Sequence, residues 1–382
     1  MLPFVIAGLI AFACFVPFIY LSVVMAWMEL QTTGTAYYGK SRHERGQFRR
    51  TLRLHGQILR PVLYLLNRLI PFRFENASFK VRELAGPKST CTPQSFQRAF
   101  EYQPSSNDVF VVTHMQCGTT WMQQLVLLVL HRGQDCLAED GTSLNAVSPW
   151  LEAKTSVSVH DAPTMGPINQ RVIKTHLPFS HVPFRSHAKY IYVVQDPASC
   201  YAGCVDFLRT NLQNRLPAAA TIEAWFTSSL EMWWGSWPEH VSGWWKQAQQ
   251  NSNILFVRWE DMQADLAGVV QQVNTFLNLP PLTHEELAMI LRHASLEHMQ
   301  ANADLFEITP PHLLQNTASL LKQDKAERMQ DVGSDQRRRI QQWAEKQLLR
   351  NGVPEDQLYG SESAAFVPDV APADVAVSLV NA

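Results

Sequence analysis

The chain has 382 residues, 46% hydrophobic and 17% charged, enough to bury one substantial core with a small appendage. A formal net charge of -2 excludes a global pull toward nucleic acid, so no nucleic-acid partner is expected and any anion must be held by local geometry. Cys14, Cys91, Cys117, Cys136, Cys200 and Cys204 are spaced as neither a zinc site nor a disulfide framework. A reduced compartment and no metal are therefore expected, with Cys200 and Cys204 read as small buried residues on one helix face.

Residues 1–28, MLPFVIAGLIAFACFVPFIYLSVVMAWM, carry no charged side chain and are long enough to cross a bilayer as a helix. They read as a transmembrane anchor, because a signal peptide would have a basic start and a small-residue cleavage site. Residues 29–74 form a basic juxtamembrane segment. Lys40, Arg42, Arg45, Arg49, Arg50, Arg53 and Arg60 accumulate there, which by the positive-inside rule turns the main body to the cytoplasm. Leu54 to Phe72 is expected to lie as an amphipathic segment on an anionic leaflet; a packed helix pair interrupted at Pro61 is the alternative.

Residues 75–352 read as the main domain. Short apolar runs at Asp108–His114, Arg171–His176, Lys189–Gln195 and Asn253–Trp259 alternate with helical periodicity at Trp121–Leu130, Ala264–Leu277, His284–His293 and Asp335–Leu349, the last with Ser334 as N-cap. Continuous apolar strands between helices predict an α/β fold, a parallel sheet flanked by helices. Trp225, Trp233, Trp234, Trp237, Trp244 and Trp245 are expected to be mainly packing residues, with one ring reaching a pocket. Residues 353–382, rich in Pro, Ala and acids, are expected to form a disordered tail.

The stretch THMQCGTTW, Thr113 to Trp121, stands between a strand and a helix. Successive backbone N–H groups and two hydroxyls over Cys117-Gly118-Thr119-Thr120 can face an oxyanion, with the helix dipole behind them. It is not a Walker A loop: the spacing to GK[ST] and the lysine are absent. Its architecture is P-loop-like, with the cation missing.

Four segments in order resemble one family. GTTW at Gly118–Trp121, KTHLPF at Lys174–Phe179, YVVQDP at Tyr192–Pro197 and WEDM at Trp259–Met262 are similar to PAPS-dependent sulfotransferases of the cytosolic type, PAPS being 3′-phosphoadenosine-5′-phosphosulfate. The resemblance covers about residues 108–349. It implies that Gln116, Cys117, Gly118, Thr119, Thr120 and Trp121 surround the 5′-phosphosulfate and adenine end of PAPS. His176 corresponds to the catalytic histidine and Lys174 to a lysine beside the transferred group. Those residue types suit sulfuryl transfer, an in-line displacement that needs a base for the acceptor proton and positive charge at the leaving phosphate.

Gln116 stands where the family has a lysine, Gln195 where it has the arginine that holds the 3′-phosphate, and Gly203 where it has that arginine's partner serine. Lys322, Lys325 and Arg328 are the candidate replacements for a further basic 3′-phosphate segment. Each charge-assisted hydrogen bond is worth about 1.5–3 kcal/mol, so loss of two cations is expected to weaken donor binding by about a hundredfold to ten-thousandfold. The implied functions are a membrane-anchored sulfotransferase acting on a hydroxyl or amine, or a catalytically silent, tethered binding or scaffold module (a pseudoenzyme); a changed nucleotide donor is a third. An amphiphile or lipid is the expected acceptor class.

Overall fold

The computed structural model describes residues 2–33, 35–212, 215–313, 332–353 and Leu358. Lys322, Lys325, Arg328 and most of residues 353–382 lie outside the described residues. Val353 and Leu358 are both buried in the core.

Two long helices come first, α1 (Leu2–Thr32) and α2 (Arg42–Leu69), with one short helical turn, Thr35–Tyr38, between them. A hairpin follows, β1 (Ser78–Val81) and β2 (Leu84–Pro87). The domain then runs β3 (Asp108–Thr113), α3 (Thr119–Leu130), β4 (Arg171–Thr175), β5 (Lys189–Val194), α4 (Pro197–Leu212), α5 (Trp237–Ala248), β6 (Ile254–Arg258), α6 (Leu266–Phe276), α7 (His284–His293) and α8 (Ser334–Arg350). Strands β3 to β6 form one parallel sheet in the order β4-β3-β5-β6.

Alternation along β3 divides the core. Phe110 and Val112 face a layer containing α4, α5 and α8, while Val109 and Val111 face one built on α3, α6 and α7. Both faces are covered, as the continuous apolar runs require. The register pairs Val109 with Val172 on one side and with Lys189 on the other. The ends of β3, β4 and β5 are thereby brought level.

Helix boundaries depart from the periodicity in informative ways. The stretch expected as one helix, Ala264–Leu277, breaks at Asp265, whose carboxylate accepts the Gly268 N–H at 2.9 Å and starts α6 anew. Ser334 is the first residue of α8 rather than its cap; Gly333 holds that place. Thr119 and Thr120 join α3 ahead of Trp121.

The segment after α1 differs most. α2 runs through Pro61 without interruption, opened by a capping box between Ser41 and Glu44. It packs back on α1, with Tyr20 Oη 2.6 Å from His55 Nδ1 and the Trp27 and Phe48 rings 5.1 Å apart. Part of the basic cluster expected on a leaflet instead docks on the domain. Arg45 is fully buried, donating to the carbonyls of Lys40 (2.7 Å) and Gly141 (3.0 Å). Arg42 pairs with Asp304 at 2.7 Å and Arg49 with Glu307 at 3.0 Å. A buried guanidinium needs such partners, which water at a membrane surface does not demand of it. The apolar residues Leu54, Ile58, Leu65 and Leu69 of α2 are exposed, as are Phe15, Ile19 and Val23 of α1.

Arg49→Glu would set a third acid against Glu307 and Asp304. Limited proteolysis is expected to open a cleavage site in the connection near residues 33–41, while an unchanged digestion pattern would contradict this docking.

Candidate active site

Ligand crevices in open parallel sheets form beyond the carboxyl ends of the strands. Here β3, β4 and β5 end at Thr113, Thr175 and Val194, and the next residues converge on one cavity of about 310 Å³. Gln116, Gly118, Thr119, Thr120, Trp121, Lys174, His176 and Gln195 all line it. Cys117 and Gly203 do not. The Cys117 side chain is packed in the core, and a Cβ added at Gly203 would stand 2.9 Å from the Gln116 Cβ. Both side-chain positions stand behind the turn rather than on the cavity wall.

The turn is held in left-handed conformations, φ 64° at Gln116 and 81° at Gly118. Gly118 also has no room for a side chain, because a Cβ would fall 2.5 Å from Trp259 Cδ1. Its conformation starts α3, whose first N–H groups have no intrahelical acceptor and carry the positive end of the helix dipole. The Trp121 indole donates to the Ala294 carbonyl at 2.9 Å, fixing that ring at the cavity wall. Thr113 Oγ1 lies 2.6 Å from Thr119 Oγ1 and 3.2 Å from His176 Nδ1, so the turn and the histidine share one buried hydroxyl.

His176 Nδ1 is 2.9 Å from the Thr113 carbonyl oxygen. A carbonyl only accepts, so this nitrogen carries the proton and Nε2 is the basic one. Burial first, and then the Lys174 charge, push the imidazole well below its ordinary range. It is neutral at pH 7. Lys174 is 2% exposed and burial lowers its ammonium to about 8, opposed by the Glu152 carboxylate. Its Nζ stands 3.8 Å from the Trp150 ring centroid, a cation–π contact, and makes no hydrogen bond among the described residues. Nor is another lysine or arginine among the described residues that line the cavity.

Glu152 and Trp150 are the residues that sequence reasoning missed. Glu152, 0% exposed, accepts the His176 backbone N–H at 2.7 Å and the Thr175 hydroxyl at 2.8 Å. Trp150 sits beside β4 through a bridge to Lys174. The only available signal was weak: an isolated acid in a mostly apolar stretch. Trp233 and Trp234 both reach the cavity, one ring more than expected. Their turn is tied to the hairpin by Trp234 N–H donating to the Ala85 carbonyl at 2.9 Å. Trp237 and Trp244 are fully buried packing residues.

An α/β sheet whose strand ends gather an anion-facing helix start, a buried ammonium and a neutral imidazole defines a protein built to hold a phosphate-like group beside a base. The sulfotransferase domain family model matches residues 106–352, and the chain belongs to that family. Mouse sulfotransferase 2B1 is 29% identical over 254 residues, 64% of this chain and 71% of its own length. The rabbit amine sulfotransferase is 30% identical over 206 residues, covering 52% of this chain and 65% of the relative. Among solved structures, mouse sulfotransferase SULT7A1 complexed with PAP superposes with a TM-score of 0.57 at 18% identity, covering 75% of this chain and 100% of that one. Retinol dehydratase in complex with retinol and PAP gives 0.57 at 17%, covering 73% and 98%. These likenesses establish the sulfotransferase fold.

Glu152→Ala would leave the His176 N–H and the Thr175 hydroxyl without their acceptor. At about 1–3 kcal/mol for each orphaned donor, denaturant unfolding is expected to report a loss of about 2 kcal/mol or more. A loss below about 1 kcal/mol would contradict the positioning role, since even a single orphaned donor costs that much.

Proposed function

We propose that the chain transfers a sulfuryl group from PAPS to a hydroxyl or amine of an amphiphilic acceptor, with Lys174 and His176 as the reacting pair. The observation that carries this reading is their shared cavity with the start of α3. In the transfer, His176 Nε2 takes the acceptor proton as the acceptor oxygen or nitrogen bonds to sulfur. The bond from sulfur to the bridging phosphate oxygen breaks at the same time. PAP, the 3′,5′-bisphosphate, leaves with its new charge facing Lys174 and the N–H groups of Thr119, Thr120 and Trp121. A base held neutral by burial is in its accepting form throughout the neutral range, and the anionic donor would raise its basicity on binding.

Gln116 and Gln195 can donate hydrogen bonds but carry no charge, so the donor is bound weakly and Lys174 supplies most of the positive field. The rest of the lining, including Trp150, Trp233, Trp234, Phe207, Leu296 and Phe306, favours an apolar acceptor body. Among the described residues one helix, α1, is long and apolar enough to cross a membrane. Together with the exposed apolar residues of α2 it supports a single-pass, membrane-held enzyme whose basic flank turns the domain to the cytoplasm.

Calorimetric titration of the full-length protein in detergent with PAP tests the reading. Binding is expected in the millimolar range or tighter and should weaken as pH rises through about 8, because deprotonation removes the one ammonium among the described residues that line the cavity. Lys174→Met should abolish that pH dependence. Absence of heat at millimolar PAP across this range would overturn the proposal.

A second reading, a catalytically silent binding module, is favoured by the two neutral glutamines together with the tight packing of Gly203 on Gln116. Gln116→Lys with Gln195→Arg separates the two. A silent module gains PAP binding that its parent lacks, whereas an enzyme of weak donor affinity tightens by about a hundredfold to ten-thousandfold from a measurable start. Gly203→Ser is best left out of that variant, since its Cβ would collide with the turn.

A further inference from the structure

Behind the turn, away from the cavity, His114, Cys117 and Cys200 place one imidazole nitrogen and two sulfurs within 4.8 Å of one another, all three residues buried. They come from two separate parts of the fold, H-x-x-C in the turn after β3 and a cysteine in the first turn of α4. This is why their spacing in sequence resembles no metal motif, and why none was expected.

The hydrogen bonds fix the imidazole's orientation. His114 Nε2 lies 3.1 Å from the Gly235 carbonyl oxygen, which can only accept, so the proton is on Nε2. Nδ1 is therefore the lone-pair nitrogen, and it stands 3.4 Å from Cys200 Sγ. An imidazole that donates outward to a carbonyl and presents its other nitrogen to thiols has the outer-shell support usual for a metal ligand. The sulfurs are crowded on a shared acceptor: Cys117 Sγ and Cys200 Sγ lie 3.6 and 3.4 Å from the single carbonyl of Met115. Cys204 lies one helical turn beyond Cys200.

We propose that His114 Nδ1, Cys117 Sγ and Cys200 Sγ bind a thiolate-preferring divalent metal ion of the zinc class, with the fourth coordination position left to an exogenous ligand. Tetrahedral zinc with Zn–S of about 2.3 Å and Zn–N of about 2.0 Å sets its ligand atoms roughly 3.5–3.8 Å apart. A cluster within 4.8 Å reaches that spacing by small side-chain rotations. Each thiol gives up its proton on binding, so the ion enters as two protons leave. With two thiolates the centre is neutral. It therefore does not replace the cation missing at Gln116. Its effect is mechanical: it ties the 114–117 turn to α4, with Gln116 held over Gly203 between them.

The test is cobalt loading of the untagged full-length protein in detergent, reduced and freed of metal with a chelator. About one equivalent of Co²⁺ is expected to bind, with the visible bands of tetrahedral cobalt and a near-ultraviolet sulfur-to-cobalt charge-transfer band. Zn²⁺ should bleach both. Cys117→Ala, Cys200→Ala and His114→Phe should each weaken loading tenfold or more, whereas Cys136→Ser, at a thiol elsewhere, should not. If a site variant fails to fold by circular dichroism, the wild-type stoichiometry and charge-transfer band alone decide. Wild-type protein without these bands, or bands retained in folded Cys117→Ala and Cys200→Ala, would overturn the site.

Discussion

An ammonium buried to 2% exposure, without a hydrogen-bonded anion among the described residues, is the constraint around which this molecule is arranged. Lys174 is kept charged at neutral pH by three features: the indole of Trp150 under its Nζ, the Glu152 carboxylate, and an opening onto the cavity. Desolvation acts against it. The site is accordingly under electrostatic tension that an incoming anion relieves, and its low dielectric makes that relief larger than the same pair would give in water. Glu152 serves the cation and the histidine together, because its two oxygens hold Thr175 and the His176 backbone while its charge faces Lys174. One carboxylate thus sets position and potential at the end of β4.

The fold converts this into a site by bringing three strand ends level. β3 supplies the turn and the helix start, β4 the lysine and histidine, and β5 Gln195. The shared Thr113 hydroxyl, touching both Thr119 and His176, makes the turn and the imidazole one hydrogen-bonded unit. A displacement of the turn would be felt at the imidazole. Among the described residues that line the cavity, Gln116 and Gln195 are polar but uncharged and Lys174 is the cation.

Much of this architecture was legible in the chain. The apolar runs gave β3 and β5 to within a residue because strands covered on both faces have few polar interruptions, whereas apolar periodicity started α3 two residues late, at Trp121, because Thr119 and Thr120 carry no apolar side chain. Lys174 and His176 were placed by resemblance. Their convergence with the turn depends on register, which a single sequence does not encode locally. Glu152 was not legible, since its role arises from a fold-level approach of residues 150–152 to β4. The docking of Arg42, Arg45 and Arg49 was missed for a related reason: their partners Gly141, Asp304 and Glu307 are far along the chain, and a basic run by itself reads as solvated. Asp265 shows the opposite case. Its capping bond is local, yet apolar periodicity on both sides concealed it.

The central claim is that this cavity receives the donor nucleotide's 5′ end at the start of α3, opposite Lys174. A structure of the full-length protein soaked with saturating PAP tests it most directly. The account predicts the 5′-phosphate within hydrogen-bond distance of the Thr119–Trp121 backbone N–H groups and of Lys174 Nζ, with His176 Nε2 facing the acceptor side. Nucleotide bound elsewhere, or a cavity without nucleotide at that concentration, would contradict it.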